Sequence, residues 1–302
     1  MSSVSFVIPV FNKSIFLEYI IQSLRMQEGD FEREYIFIDD GSTDDSYRKL
    51  KILTKDLKSC KILKQVNRGS ANATNVGIKL AKMKYIKFLD ADDVILSETT
   101  ISLLNLLEKN PNVILAYGLQ RKVKSLKSVD LFEKFNHSDY SIISNTLFKA
   151  MRNSMFNPSQ FLARTDLCKK VGGCDERIKF SQEYSLTLRL SIFGKFIRLN
   201  HPIAILPFNV PGQISEKKNN QIYRVSKALE LFIEDNPQLE LKSLLYAQRR
   251  ITARAWRFAK RFKKDGYFSY WFLLYLKGVF GIRSNILGNC KEANRVYHDF
   301  LD

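Results

Sequence analysis

The sequence predicts an α/β fold, a mostly parallel sheet flanked by helices, extended at its C-terminal end by further helices. Short apolar runs alternate with stretches of helical periodicity, and four of the runs end in polar or acidic residues. The steps from Pro9 to Asp39, Asn67 and Asp90 are 30, 28 and 23 residues, the length of a βαβ unit, which calls for parallel strands joined by right-handed crossovers. Beyond Gly212 the strand signals stop and a basic helical segment follows.

Taken in order, Val4–Ile8 reads as the first strand, followed by a helix over Ser14–Met26 with Phe16, Ile20 and Leu24 on one face. Tyr35–Ile38 is the second strand, and Ser42–Asp45 supplies cap residues for a helix over Asp44–Leu57. Lys61–Leu63, a helix over Ala71–Met83 and the strand Tyr85–Leu89 complete the repeating part. A helix at Thr99–Lys109 and a strand at Val113–Tyr117 extend the sheet, and Arg121–Tyr140, polar and lysine-rich, reads as a surface excursion. Gln160–Arg164 (strand), Gly172–Gly173 (turn) and Glu183–Phe193 (helix) follow, and Pro202, Pro207 and Pro211 mark a boundary that divides the chain into 1–212 and 213–302.

With 302 residues, 45% hydrophobic and 26% charged, the chain is neither disordered nor a polytopic membrane protein. No basic segment followed by an apolar stretch and a small-residue cleavage site opens it, so a cytoplasmic location is expected. Four cysteines without a CxxC pair and three scattered histidines argue against zinc. The net charge of +17 favours a polyanionic partner. From Leu241 to Arg283 eleven basic residues face one acidic residue, Asp265. Arg250, Arg254, Arg257, Arg261 and Lys264 fall on one helical face beside Ile251, Ala255, Phe258 and Phe262, and an aromatic run, Tyr267–Tyr275, follows. This reads as an interfacial helix on an anionic membrane surface, at the inner face of the cell membrane; the competing reading is a helix packed on the rest of the protein with a solvated basic edge. The run Tyr267–Ile282 carries Lys277 and is shorter than the roughly 20 residues that span a bilayer.

Phosphate-binding glycine loops of the GxGxxG and GxxxxGK[ST] types are absent, as is a GxSxG elbow, which disfavours dinucleotide oxidoreductases, P-loop enzymes and serine hydrolases. The strand ends offer carboxylates instead: Asp39-Asp40 and Asp90-Ala91-Asp92-Asp93, on one edge of a parallel sheet. Clustered carboxylates need a compensating cation, so Asp90–Asp93 is a candidate divalent-metal site. Asp39 can accept a hydrogen bond from an imide N–H such as that of uracil. Acidic strand ends also make turns and caps, as residues 40–44 can.

Four ordered segments, Val4–Asn12, Tyr35–Ser46, Asn67–Gly77 and Phe88–Asp93, resemble the consecutive motifs of family 2 glycosyltransferases with the GT-A fold, a Rossmann-like architecture. The resemblance is sharp over residues 4–118, looser from Asn157 to about Ser215, and fades in the C-terminal helices. It implies an inverting, metal-dependent (Mn2+ or Mg2+) transfer from a nucleotide-diphosphate sugar, foremost a UDP-sugar, to a glycan or lipid-linked acceptor in bacterial surface-polysaccharide synthesis. It also implies that Pro9, Val10 and Asn12 line the base pocket, Asp39 holds the base, Asn67-Arg68-Gly69 flank the nucleotide, Asp90 meets the donor, and Asp92 and Asp93 hold the metal. Thr74 stands where many relatives carry an arginine. Gly172–Glu176 resembles the acceptor loop, and Gln182-Glu183 occupies the place of the family's Glu-Asp pair, making Glu183 the catalytic base and Asp175 the second candidate. Acids also favour helix N-termini for electrostatic reasons alone. Two other readings stand beside the enzyme: an inactive binding module of the same fold, and a nucleic-acid-binding protein, disfavoured because no nucleic-acid module is recognisable and the aspartates repel phosphate.

Overall fold

The computed structural model describes residues 2–178, 182–208 and 218–300. Its first strand, β1 (Ser3–Val10), is buried from Val4 to Ile8. Phe6, Ile8 and Val10 join one side of the sheet and Val7 the other, as a period of two requires. β1 lies between β2 (Glu32–Asp39) and β4 (Tyr85–Phe88), parallel to both, and β3 (Cys60–Lys64) runs parallel to β2 at the edge. This is the parallel unit that the strand spacing requires. Its crossovers are α1 (Leu17–Arg25), α2 (Ser46–Leu53) and α3 (Ser70–Leu80).

The sheet continues differently from the expectation. β5 (Val94–Ile95) and α4 (Thr99–Lys109) lead into β6 (Val113–Val123), which does not sit against β4. β8 (Phe161–Arg164) inserts between them, antiparallel to each. β9 (Lys195–Pro207) pairs parallel with β6 and antiparallel with β5 and with β7 (Tyr140–Ile143), so the nine-stranded sheet is mixed. Of the prolines read as a boundary, Pro202 lies inside β9 and Pro207 ends it, while Pro211 lies outside the described residues. Pro202 falls where the β6 and β9 register shifts, a place that tolerates a missing N–H. The expected boundary at Gly212 lies outside the described residues.

One core lies beneath α1 and α4, and a second beneath α3, with Leu186 and Leu190 of α7 (Gln182–Leu190) and Cys168 of α6 (Thr165–Lys170). A third unites α5 (Thr146–Arg152) and α7 with α8 (Lys218–Asp235), α9 (Leu241–Phe258), α10 (Tyr270–Val279) and α11 (Ile286–Asn294). The basic stripe is therefore corrected. Arg254 is buried and donates to the carbonyls of Val225, Met151 and Arg152. α9 passes after Phe258 into one wide turn, Ala259–Lys263, that closes at Lys264 with φ 55°, so Arg261 falls in that turn and Lys264 at its end, off the α-helical face. Arg250, Arg254 and Arg257 line up as the spacing requires, but part of that face packs against α5.

Candidate active site

Asp39 ends β2 with a fully buried side chain, and among the described residues neither carboxylate oxygen has a hydrogen-bond partner. Asp40 is used otherwise: its carboxylate accepts from the Gln65 amide at 2.8 Å and from the backbone N–H groups of Arg68 and Gly69, each at 2.9 Å. Those bonds lash the β2–α2 loop to the turn before α3. The approach is close enough that a Cβ on Gly41, at φ +74°, would lie 2.7 Å from the Asn67 nitrogen. Asn12 completes the lashing, its side-chain carbonyl accepting from the N–H of Thr43 at 2.8 Å and that of Asp44 at 3.3 Å. The Asn12 side chain thus holds a loop, and Val10 points into the core beneath α1, leaving Pro9 as the member of that trio that reaches the central cavity. Asn67 and Arg68 are exposed at the rim, Gly69 is half-buried, and the Arg68 guanidinium lies 3.8 Å from Glu176.

At the end of β4 the acidic cluster is held by a short turn, Pro158–Gln160. The Ser159 hydroxyl accepts from the Asp90 N–H at 3.0 Å and donates to Asp93 at 2.6 Å. Asp93 is buried and committed inward, whereas Asp92 is paired with Lys13 at 2.5 Å. Burial first, then the charges of Asp92 and Glu183, push the Asp90 carboxyl up to about 8. Burial and the neighbouring Asp92 and Asp90 charges push Asp93 upward as well. Lys87, wholly buried, donates to the carbonyls of Phe88 and Ser159, and burial lowers its ammonium to about 7 against the pull of Asp93 and Asp90. Lys87, Ser159 and Lys13 were not singled out from sequence. A lysine inside the apolar run Tyr85–Leu89 is the one signal that pointed to them.

Across the cleft, Glu183 opens α7. Burial raises its carboxyl to about 7, moderated by a backbone N–H and by the Ser154 hydroxyl. It shares one small cavity with Pro9, Thr74, Asp90 and Cys174, so the ends of β1 and β4, the wall of α3 and the start of α7 converge as the topology of an open sheet requires. Asp175 does not join them as a free base. Arg177 grips both its oxygens, at 2.9 and 2.6 Å, and Arg189 lies 3.1 Å away; burial raises the carboxyl, but these bonds outweigh it and hold it below the usual range. The same arginines reach Asp235 at the end of α8. Asn72 and Asn75 of α3 donate to Glu176, and Asn75 exchanges two bonds with the backbone of Cys174, which fixes the 172–176 loop over α3.

Among the described residues, no three His, Cys, Asp or Glu side chains converge on a single metal position. The donor chemistry still fits a hard cation: Asp90 and Asp92 are neighbouring carboxylates whose mutual repulsion Lys13 and Lys87 relieve only in part, since Asp90 stays raised. His201 stacks on Phe135 at 4.7 Å and faces Glu133, well apart from this cluster.

Residues 5–171 match the glycosyl transferase family 2 profile. Over 159 residues the chain is 34% identical to the poly(ribitol-phosphate) beta-N-acetylglucosaminyltransferase TarP of Staphylococcus aureus, a match covering 50% of this chain and 47% of that protein. The chain thus spans about half the length of that relative. The crystal structure of S. aureus TarS 1-349, a protein also solved with UDP and with UDP-GlcNAc, superposes with a TM-score of 0.64 at 14% identity, covering 100% of this chain and 92% of that one. The mannosyltransferase PcManGT of Pyrobaculum calidifontis, solved with GDP-Man and Mn2+, gives a TM-score of 0.54 at 15% identity, covering 99% and 76%.

Proposed function

The chain belongs to glycosyl transferase family 2, and on that premise we propose that it transfers a sugar from a UDP-sugar to a hydroxyl of a glycan or lipid-linked saccharide, with inversion, in bacterial surface-polysaccharide assembly. One observation carries the donor reading. An aspartate wholly buried at a strand end with both oxygens unpartnered is costly unless a ligand donates to it, and the uracil imide N–H is such a donor. UDP-GlcNAc in a TarS structure supports uracil over guanine. Glu183 accepts the proton of the acceptor hydroxyl as that oxygen bonds to the anomeric carbon and the bond to the diphosphate breaks; a single displacement inverts the centre. Burial that holds Glu183 near neutrality suits it to this task. Asp90 and Asp92 are the residues that would hold a divalent cation, which would neutralise the leaving diphosphate. Asp90 and Asp92 are preferred here to the expected Asp92 and Asp93, because the buried Asp93 carboxylate accepts from Ser159.

The donor reading is tested by calorimetry with UDP, GDP and CDP. UDP is expected to bind tightest, and Asp39→Ala to weaken it by about tenfold or more, the worth of one hydrogen bond to a charged group. Unchanged UDP affinity in Asp39→Ala, or a preference for GDP, contradicts it.

A peripheral membrane location has its own support. Tyr267, Phe268, Tyr270, Leu273, Phe280 and Ile282, on α10 and its flanks, are exposed, Phe268 at 85% and Phe280 at 75%. Lys260, Arg261, Lys264, Lys277 and Arg283 are exposed around them, a charge complement to anionic lipid. Among the described residues, no helix is long and apolar enough to cross a membrane.

A further inference from the structure

We propose that the arginine-lined cleft of the C-terminal helices is the acceptor-binding site and that the acceptor is a phosphodiester-bearing glycan. This rests on the glycosyltransferase reading of the Glu183 site and adds the acceptor's chemical class to it. The cleft has a volume of about 570 Å³, within the range of sites that hold drug-sized ligands. Arg152 at the end of α5 and Arg249, Arg250 and Arg257 of α9 line it, with Trp256 and Tyr275 as apolar walls. No carboxylate is among the lining residues.

Four guanidinium groups on one concave surface repel one another, and each buried N–H needs an acceptor. Arg152, Arg249 and Arg257 are solvent-exposed, so that demand falls on the half-buried Arg250. Arg250 gives one N–H to the Arg152 carbonyl at 2.8 Å and Arg257 one to the Ala253 carbonyl at 3.2 Å, while among the described residues the buried Arg250 Nε has no partner. Burial, and then the charges of Arg254, Arg257 and Arg152, hold the Arg250 guanidinium below its ordinary range. Anionic oxygens are the missing partners. The planar forks of arginine suit phosphate oxygens, and the ring faces of Trp256 and Tyr275 suit the carbon skeleton of the units between phosphates.

Chain geometry joins the cleft to the chemistry. Arg152 ends α5, and two residues later Ser154 donates to the Phe156 carbonyl and lies near enough to Glu183 to lower its carboxyl. On this proposal a polymer whose phosphates rest on the arginines runs along residues 152–154 to present a hydroxyl to the base. Arg249 and Arg257 are exposed, whereas Arg250 and Arg254 also fasten α9 to α5. The exposed pair is thus the one to change without touching the packing.

The experiment titrates the full chain by calorimetry with a synthetic glycerol-phosphate octamer, and separately with UDP, for wild type and Arg249→Gln/Arg257→Gln. The expected result is octamer binding that falls by about tenfold or more in the variant, as the loss of charge-assisted bonds requires, with UDP affinity and thermal midpoint unchanged. No octamer binding by wild type, equal binding by the variant, or a variant that loses thermal stability instead overturns the proposal. So does equal binding of a uronic-acid polysaccharide, which would make the cleft a general anion surface. Loss of binding only to phosphatidylglycerol vesicles would assign the arginines to lipid and also overturn it. If UDP itself fails to bind, the donor reading fails independently of the cleft.

Discussion

Glu183 and Asp175 are both acids within the loop-and-helix segment 172–190, and their surroundings assign them opposite roles. Burial lifts Glu183 to about 7, while Arg177 and Arg189 hold Asp175 down as a permanent anion that ties the loop to α8. A base must be deprotonated to act, and a carboxyl with a raised pKa loses its proton only as pH rises through that value. Turnover is therefore expected to climb between about pH 6 and about pH 8 and then level off. A profile flat across that interval counts against Glu183. The strand-end places of Asp39 and Asp90 were legible in the sequence because carboxylates there stand out against apolar runs, whereas Glu183 was reached through the resemblance of Gln182-Glu183 to the family's Glu-Asp pair. The inward commitment of Asp93 and the buried Lys87 were not legible, since both depend on Ser159, which arrives from 66 residues away in the chain.

Elements were legible where they repeat and obscure where long-range pairing decides. The β1–β4 unit follows from its spacing, but β8 slips between β4 and β6 by pairings that no local pattern encodes. β9 was hidden because Pro202 and Pro207 read as breaks, whereas a shifted register accommodates the first and the strand ends on the second. The basic periodicity of α9 was real, yet spacing alone cannot tell that α5 covers Arg254. α10 rests on α9 at Gly278, where a Cβ would lie 2.3 Å from the Thr252 hydroxyl and 3.1 Å from the Arg249 Cα. Gly278→Ala must push the two helices apart, at a cost of about 1–3 kcal/mol. Thermal unfolding checks this; an unchanged midpoint would show that the contact relaxes freely.

Taken whole, the molecule is a mixed sheet whose carboxyl edge carries Asp39, Asp90 and Asp92, with a helical cluster that supplies a second wall, an arginine cleft and an exposed aromatic surface. The membrane reading belongs to that surface rather than to the arginine stripe first suggested by the spacing. Phe268→Ser/Phe280→Ser is expected to lower partition onto phosphatidylglycerol vesicles by about tenfold or more, since each ring contributes about 1.5–3 kcal/mol when buried. Unaltered partition would remove the aromatic surface from the account.

Turnover of a UDP-sugar in this cleft with Glu183 as the base is tested directly by the rate of UDP release from a panel of UDP-sugars in Mn2+, for wild type and Glu183→Gln. Release by wild type that stops on chelation and drops by about a hundredfold or more in the variant, with donor affinity retained, is the predicted result. Release at the wild-type rate by Glu183→Gln, or no release from any UDP-sugar by wild type, would contradict it.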